Sequence, residues 1–130
     1  MRAKPAVILV GLVLCAVSAP LFAHHSFAAT YFEDQKATIH GTLVEFGYRN
    51  PHSLVTVDVT DPKTLQQVRW TIEWASATRL AREGVIADTL QPGDQVTILG
   101  HPSRNLEDHR LHMWGIARPS DGWKWGHAID

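Results

Sequence analysis

Apolar and polar residues alternate over several short stretches of the chain, a period of two that is typical of β-strands with one buried face. The valines at 55, 57 and 59 are expected to face a core, while Asp58 between them faces water. The same period predicts five strands, over residues 37–46, 53–60, 67–74, 95–100 and 110–117.

The period is lost over residues 75–83, which are predicted to form a short helix. Ser76 is its expected N-cap, and Gly84 is the residue that lets it end. Strand, strand, strand, short helix, strand, strand is the order of an all-β, five-stranded Greek-key barrel of the OB type. The competing architecture is an open β-sandwich built from the same strands.

Side-chain orientation in this barrel follows from the alternation. The interior is expected to contain Val57, Trp70, Ile72 and Val96. Glu73 and Asp58 are expected to project outward, as solvated or salt-bridged acids. Gly47, at the end of the first strand, is expected to mark a bend or bulge.

The first 23 residues predict a secretory signal peptide. Arg2 and Lys4 provide a charged start, an apolar stretch follows, and Ala23 is a small residue at the cleavage position. The alternative is an uncleaved membrane anchor, because the apolar run is near the minimum spanning length of about 17 residues. Pro20 favours cleavage. The mature protein is then expected to have no stable membrane anchor and to be periplasmic or secreted.

Cleavage after Ala23 leaves residues 24–130 as one domain, of a size that folds on a single core. Residues 27–34, which include Phe27 and Tyr31, are predicted to form an N-terminal arm packed through its aromatic side chains. Cys15 is the only cysteine and lies in the signal, so the mature chain has no disulfide. Cleavage also removes two of the twelve Lys and Arg residues but none of the thirteen Asp and Glu residues. The mature chain is therefore mildly acidic, which argues against a nucleic-acid partner.

Two histidines directly follow the predicted cleavage position. In the mature chain His24 provides a free α-amine and an imidazole, and His25 provides a second imidazole. Cu(II) favours such tetragonal nitrogen sites, so a copper site is predicted here, with His52 as a further ligand. The alternative for the pair is two exposed polar residues without a role. The alternative for His52 is a histidine that caps a turn.

The remaining histidines give a weaker signal. His101, His109 and His112 surround the loop between the fourth and fifth strands. Residues three apart on a strand point to opposite faces, so these side chains are predicted to be solvated loop residues and not one metal site. His40 and His127 are isolated and are predicted to be structural or exposed.

Three motifs carry a resemblance to a known family. They are His24-His25-Ser26-Phe27, Asn50-Pro51-His52 and the turn Gln91-Pro92-Gly93-Asp94. With them the chain resembles a family of small exported bacterial proteins of unknown function, over nearly the whole mature length. The resemblance implies an exported, OB-like β domain and no particular activity.

No motif indicates an enzyme. The chain lacks a Gly-x-Ser-x-Gly elbow, a Gly-rich phosphate loop and a His-Glu-x-x-His motif. The predicted function is therefore an exported copper-binding module, with copper as cofactor or none at all. The alternative is a non-enzymatic binding or assembly domain for a small ligand or another envelope protein, using the five tryptophans. An oxidative copper enzyme is less favoured, because it also needs an open coordination position facing a substrate groove.

Overall fold

The computed structural model describes residues 27–127. The predicted signal peptide, His24, His25 and the last three residues lie outside this range. The strands are β1 (Ala37–Gly47), β2 (Leu54–Thr60), β3 (Gln67–Glu73), β4 (Gln95–Pro102), β5 (Arg110–Arg118) and β6 (Trp123–Gly126). Helix α1 (Ala77–Arg82) lies between β3 and β4, and a 3-10 helix (Leu106–Asp108) lies between β4 and β5.

The chain forms two compact units that divide after Thr30, and the strands all belong to the second. In the first unit, residues 27–30 are helical. The second begins at Tyr31, which is buried and forms an isolated bridge with Ser103.

The strands form a closed barrel. Their order is β3-β2-β1-β4-β5-β6 with antiparallel neighbours, and β3 also pairs in parallel with β5. This extra pairing joins the two ends of the five-stranded sheet, with α1 between the third and fourth strands. The OB-like barrel is confirmed, and the open β-sandwich is wrong because its sheets would not close.

A sixth strand was not predicted. β6 pairs with β5 from Arg118↔Trp123 to Gly115↔Gly126. It is only four residues long, so its alternation is too short to stand out from a tail. The turn before it depends on Gly122, whose φ of 75° lies in the left-handed region that favours glycine.

The barrel interior is filled by branched aliphatic side chains. Val57, Ile72 and Val96 are buried there, as predicted. Trp70 is only partly buried and packs against the edge of the core, so its predicted place in the interior is wrong. Asp58 lies on the outer surface, where both carboxylate oxygens accept hydrogen bonds from Arg69.

β1 is irregular in its middle and not at Gly47. Its register to β2 shifts between Leu43 and Glu45, which is a β-bulge. Because of the extra residue, Leu43 is buried and Phe46 also packs against the core, while Glu45 stays exposed. A strict period of two would instead have turned Glu45 inward with Leu43.

Helix α1 forms where predicted. The Ser76 side chain accepts a hydrogen bond from the Arg79 N–H at 3.2 Å, which caps the first turn. Leu80 anchors the helix in the core, and Gly84 follows it with a φ of 82°. In the part of the chain that the structure describes, no helix has the length and hydropathy needed to cross a membrane.

Candidate functional site

A half-buried carboxylate at the end of β3 is the centre of a polar cluster. The Tyr31 hydroxyl donates to Glu73 Oε2 at 2.6 Å, and Arg110 Nη2 donates to the same oxygen at 3.3 Å. The other oxygen, Oε1, is bound to His52 Nδ1. Only 15% of the Glu73 side chain is exposed. We call these four residues the Glu73 cluster.

The barrel closure brings the cluster together. The parallel pairing of β3 with β5 sets Thr71 opposite Arg110 and Glu73 opposite His112. His52 comes from the loop between β1 and β2. The pairing of β2 with β3 extends up to this loop, since the Trp74 N–H donates to the Ser53 carbonyl at 2.8 Å. The cluster therefore depends on contacts between residues far apart in the sequence.

Electrostatics keep the carboxylate charged. Burial alone would raise the pKa of Glu73, but hydrogen bonds from Tyr31 and His52 and the nearby cations outweigh it, so the pKa lies below its usual range. Burial, together with the hydrogen bond to Glu73, raises the pKa of the Tyr31 hydroxyl. At neutral pH a neutral phenol therefore donates to a carboxylate.

His52 is held in one orientation by this carboxylate. A carboxylate only accepts hydrogen bonds, so Nδ1 of His52 is the protonated nitrogen, and in the neutral ring Nε2 is the free acceptor. The side chain is 59% exposed. Of the three predicted metal ligands, His52 is the one within the described residues. Among residues 27–127, no three His, Cys, Asp or Glu side chains are grouped so that they could hold a metal ion.

Two of the histidines around the loop between β4 and β5, His101 and His112, lie opposite each other on these paired strands. His101 is buried on β4, and its Nδ1–H donates to the carbonyls of Phe32 and Gln35 at 3.1 and 3.0 Å. His112 is half-buried on β5, edge-on to the ring of Tyr31 at 5.5 Å between centroids, and burial lowers its pKa. The prediction of solvated side chains is therefore wrong for these two, because both belong to strands.

The two isolated histidines lie on the surface. His40 is exposed on β1, with Nδ1 2.9 Å from the Thr97 hydroxyl oxygen. His127 is exposed and stacks on Trp114, with 4.0 Å between ring centroids. Both fit the prediction of structural or exposed residues.

A second feature is a recess with a volume of about 420 Å³ beside α1 and β6. Its aromatic walls come from Trp74, Trp114, Trp125 and His127, and Arg79 and Glu83 of the α1 region also line it. We call it the aromatic recess. The recess could not be predicted from the sequence pattern, because β6, which forms one of its walls, was not predicted. Trp123-Lys124-Trp125 does alternate, but three residues are too few to define a strand period.

Sequence comparison decides the family. A family model described as a family of unknown function, DUF6152, matches residues 11–112. The chain belongs to DUF6152. The DUF6152 match includes all four residues of the Glu73 cluster, but it ends before Trp114, Trp125 and His127 of the aromatic recess. No curated protein matches the chain.

Among solved structures, three similar chains have low sequence identity to this one. The mitochondrial single-stranded DNA binding protein Rim1 from S. cerevisiae is 14% identical, with 65% of this chain and 93% of that chain covered and a TM-score of 0.49. A mutant of TiaS in complex with agmatine is 14% identical. The match covers 65% of this chain and 21% of that chain, with a TM-score of 0.46. PriB from Ralstonia solanacearum is 21% identical. The match covers 64% of this chain and 95% of that chain, with a TM-score of 0.39. At these TM-scores the likeness supports no functional conclusion for the DUF6152 chain.

Proposed function

We propose that the mature protein is an exported Cu(II)-binding module. His24 supplies an α-amine and an imidazole, His25 a second imidazole, and His52 a further ligand. Cu(II) stands at the top of the divalent affinity order and prefers nitrogen ligands of this kind. The donor set therefore suits copper better than the oxygen-seeking ions Mg²⁺ or Ca²⁺.

The observation that carries the proposal is the bond between His52 and Glu73. Metal-binding histidines almost always donate their second ring N–H to a carboxylate, a carbonyl or water, which fixes the tautomer and raises the basicity of the ligating nitrogen. His52 has this arrangement, with Nε2 as the available nitrogen. Glu73 is itself held by Tyr31 and Arg110, so the carboxylate is fixed before any ligand arrives.

The first test concerns processing of the exported protein. Edman sequencing of the secreted chain is expected to begin at His24, because Ala23 is the small residue at the predicted cleavage position. A chain that begins at Phe27 or later has lost both histidines, and that result would reject the copper site.

The second test is calorimetric titration of the mature protein with Cu(II). One residue added before His24 converts the α-amine to an amide and is expected to weaken binding strongly. His52→Ala and Glu73→Gln are each expected to weaken it by about 10-fold or more, in the range found for ligand-supporting residues. His40→Ala is the matched control, because it removes an exposed histidine from the same barrel.

Proton competition gives the same titration a second readout. Imidazoles and amines must lose protons to bind a metal, so affinity is expected to fall as pH drops through about 6.5. Equal affinity in the extended chain, in His52→Ala and in His40→Ala would contradict the proposal.

A second candidate function is a non-enzymatic binding domain for a small organic ligand. The aromatic recess favours it, since ligand sites are concave, largely apolar and furnished with a few polar groups. The two functions separate cleanly, because an organic ligand in the recess does not need a free amine at His24.

A further inference from the structure

The aromatic recess has walls suited to the apolar face of a small ring. Trp74 and Trp125 meet edge to face, with centroids 4.9 Å apart. The stacked pair Trp114 and His127 forms another part of the lining. The volume of about 420 Å³ lies within the range of small-molecule sites. These surfaces offer a flat, carbon-rich contact and not a deep hydrocarbon pocket.

The polar groups of the recess are fixed and of both kinds. Glu83 accepts a hydrogen bond from Trp125 Nε1 at 2.8 Å and another from Arg79 Nε at 3.0 Å. A carboxylate has about four lone-pair sites and a guanidinium five N–H groups, so each keeps further hydrogen-bonding capacity toward a ligand. The recess thus has acceptors and donors next to its aromatic walls.

Trp74 adds an independent observation. It is 2% exposed, and its Nε1–H has no acceptor among the described residues. Buried donors are nearly always paired, so an unpaired one beside a cavity calls for an explanation. A ligand hydroxyl that enters the recess would supply an acceptor on this side.

The charge of the lining selects among ligand classes. Arg79 and Glu83 form an ion pair, so they present no net charge to a ligand. A nucleotide or another anion would find no unpaired cation among these two side chains, and a hydrocarbon would leave both of them unused. A hydroxylated ring with one apolar C–H face matches both the aromatic walls and the paired donors and acceptors.

We propose that the aromatic recess binds one ring of a neutral saccharide. The C–H face packs on the indole of Trp125, and ring hydroxyls bond to Glu83 and Arg79. This inference rests on the second candidate function and is independent of copper, which involves other residues.

The test is two-dimensional NMR of the mature, metal-free protein titrated with maltose and, separately, with diacetylchitobiose. Both are neutral and differ in their substituents. Either sugar is expected to shift the indole N–H signals of Trp74 and Trp125. Trp125→Ala is expected to weaken binding at least about tenfold, equivalent to about 1.4 kcal/mol. Trp123→Ala is the matched control, since Trp123 is on the same strand but lines a different groove.

A variant that disturbs the recess could also disturb the barrel, so a milder one completes the test. Glu83→Gln keeps the shape and is expected to weaken sugar binding while the remaining spectrum stays unchanged. The proposal would be overturned if neither sugar shifted these signals at a sugar concentration on the order of tens of millimolar. Equal binding by Trp125→Ala would also overturn it, as would shifts produced by AMP or indole but by neither sugar. Copper titration of Trp125→Ala should match that of the parent protein, so that failure of the two proposals can be told apart.

Discussion

Glu73 and Trp74 are neighbours in the chain but belong to two different clusters. Successive residues of an extended strand point to opposite faces, so Glu73 enters the polar cluster and Trp74 enters the aromatic recess. Directional, charge-assisted hydrogen bonds hold the first, whereas ring packing holds the second. The first should respond to loss of a single atom or proton, and the second to loss of volume.

The largest effect is expected on the packing side. Trp74→Ala removes a buried indole that contacts Trp125 and Phe46, and should lower the free energy of unfolding by about 3–5 kcal/mol. Trp70→Ala, on the same face of the sheet but only partly buried, should cost less. Urea unfolding of both variants makes the comparison. Equal losses would mean that burial does not separate the two tryptophans.

Local patterns were enough to predict most of the barrel. Alternation predicted five of the strands, since each has one face in the core. Alternation does not reveal the bulge in β1, which leaves Glu45 exposed while Phe46 packs against the core. The four residues of β6 were too few to show a period.

The candidate site was less predictable because its contacts are distant in sequence. His52 was recognised from its motif, but its partner Glu73 is 21 residues away and was expected only to project outward as a solvated or salt-bridged acid. Only the closure of β3 on β5 brings Arg110 to the same carboxylate. Trp74 and Trp125 likewise meet through β6, which local patterns did not predict.

The next effect tests the polar side of the comparison. Glu73→Ala removes the acceptor of the Tyr31 hydroxyl and the partner of Arg110, and should lower the free energy of unfolding by about 1.5–3 kcal/mol at neutral pH. Glu45→Ala is the control, because this carboxylate is exposed on β1 and should show no measurable change. Similar behaviour of the two variants would show that the Glu73 cluster is not a stabilising unit.

Acid should affect the Glu73 cluster and His112, which lies opposite Glu73, in two steps. Burial lowers the pKa of His112, so protons favour the unfolded chain and stability should begin to fall as pH drops below 6.5, the ordinary value. Glu73, whose pKa is also lowered, stabilises the fold above its ordinary value of 4.5, and this contribution is lost as pH falls through its lower folded value. Each group contributes a slope of at most about 1.4 kcal/mol per pH unit.

Urea unfolding across this pH range can assign both steps. His112→Gln should reduce the slope that begins near 6.5, and Glu73→Gln should reduce the more acidic one, to which other carboxylates with a lowered pKa, such as Asp94, also contribute. Trp125→Phe, in the recess, should leave both slopes in place. If the free energy of unfolding of the parent protein did not change between about pH 7 and pH 4, a range that spans both ordinary pKa values, the assignment would be contradicted.

The smallest effect concerns one hydroxyl. Tyr31→Phe keeps the buried ring but removes the hydrogen bond to Glu73, and should cost about 1 kcal/mol. If the hydroxyl acts through the charged carboxylate, Tyr31→Phe should cost less in a Glu73→Gln background than in the parent protein. Glu73→Gln has already removed the charge that strengthens this bond. Urea unfolding of the two single variants and the double variant forms the cycle. Additive losses would mean that the Tyr31 hydroxyl stabilises the barrel independently of the Glu73 carboxylate, so that the bond between them is not a charge-assisted unit.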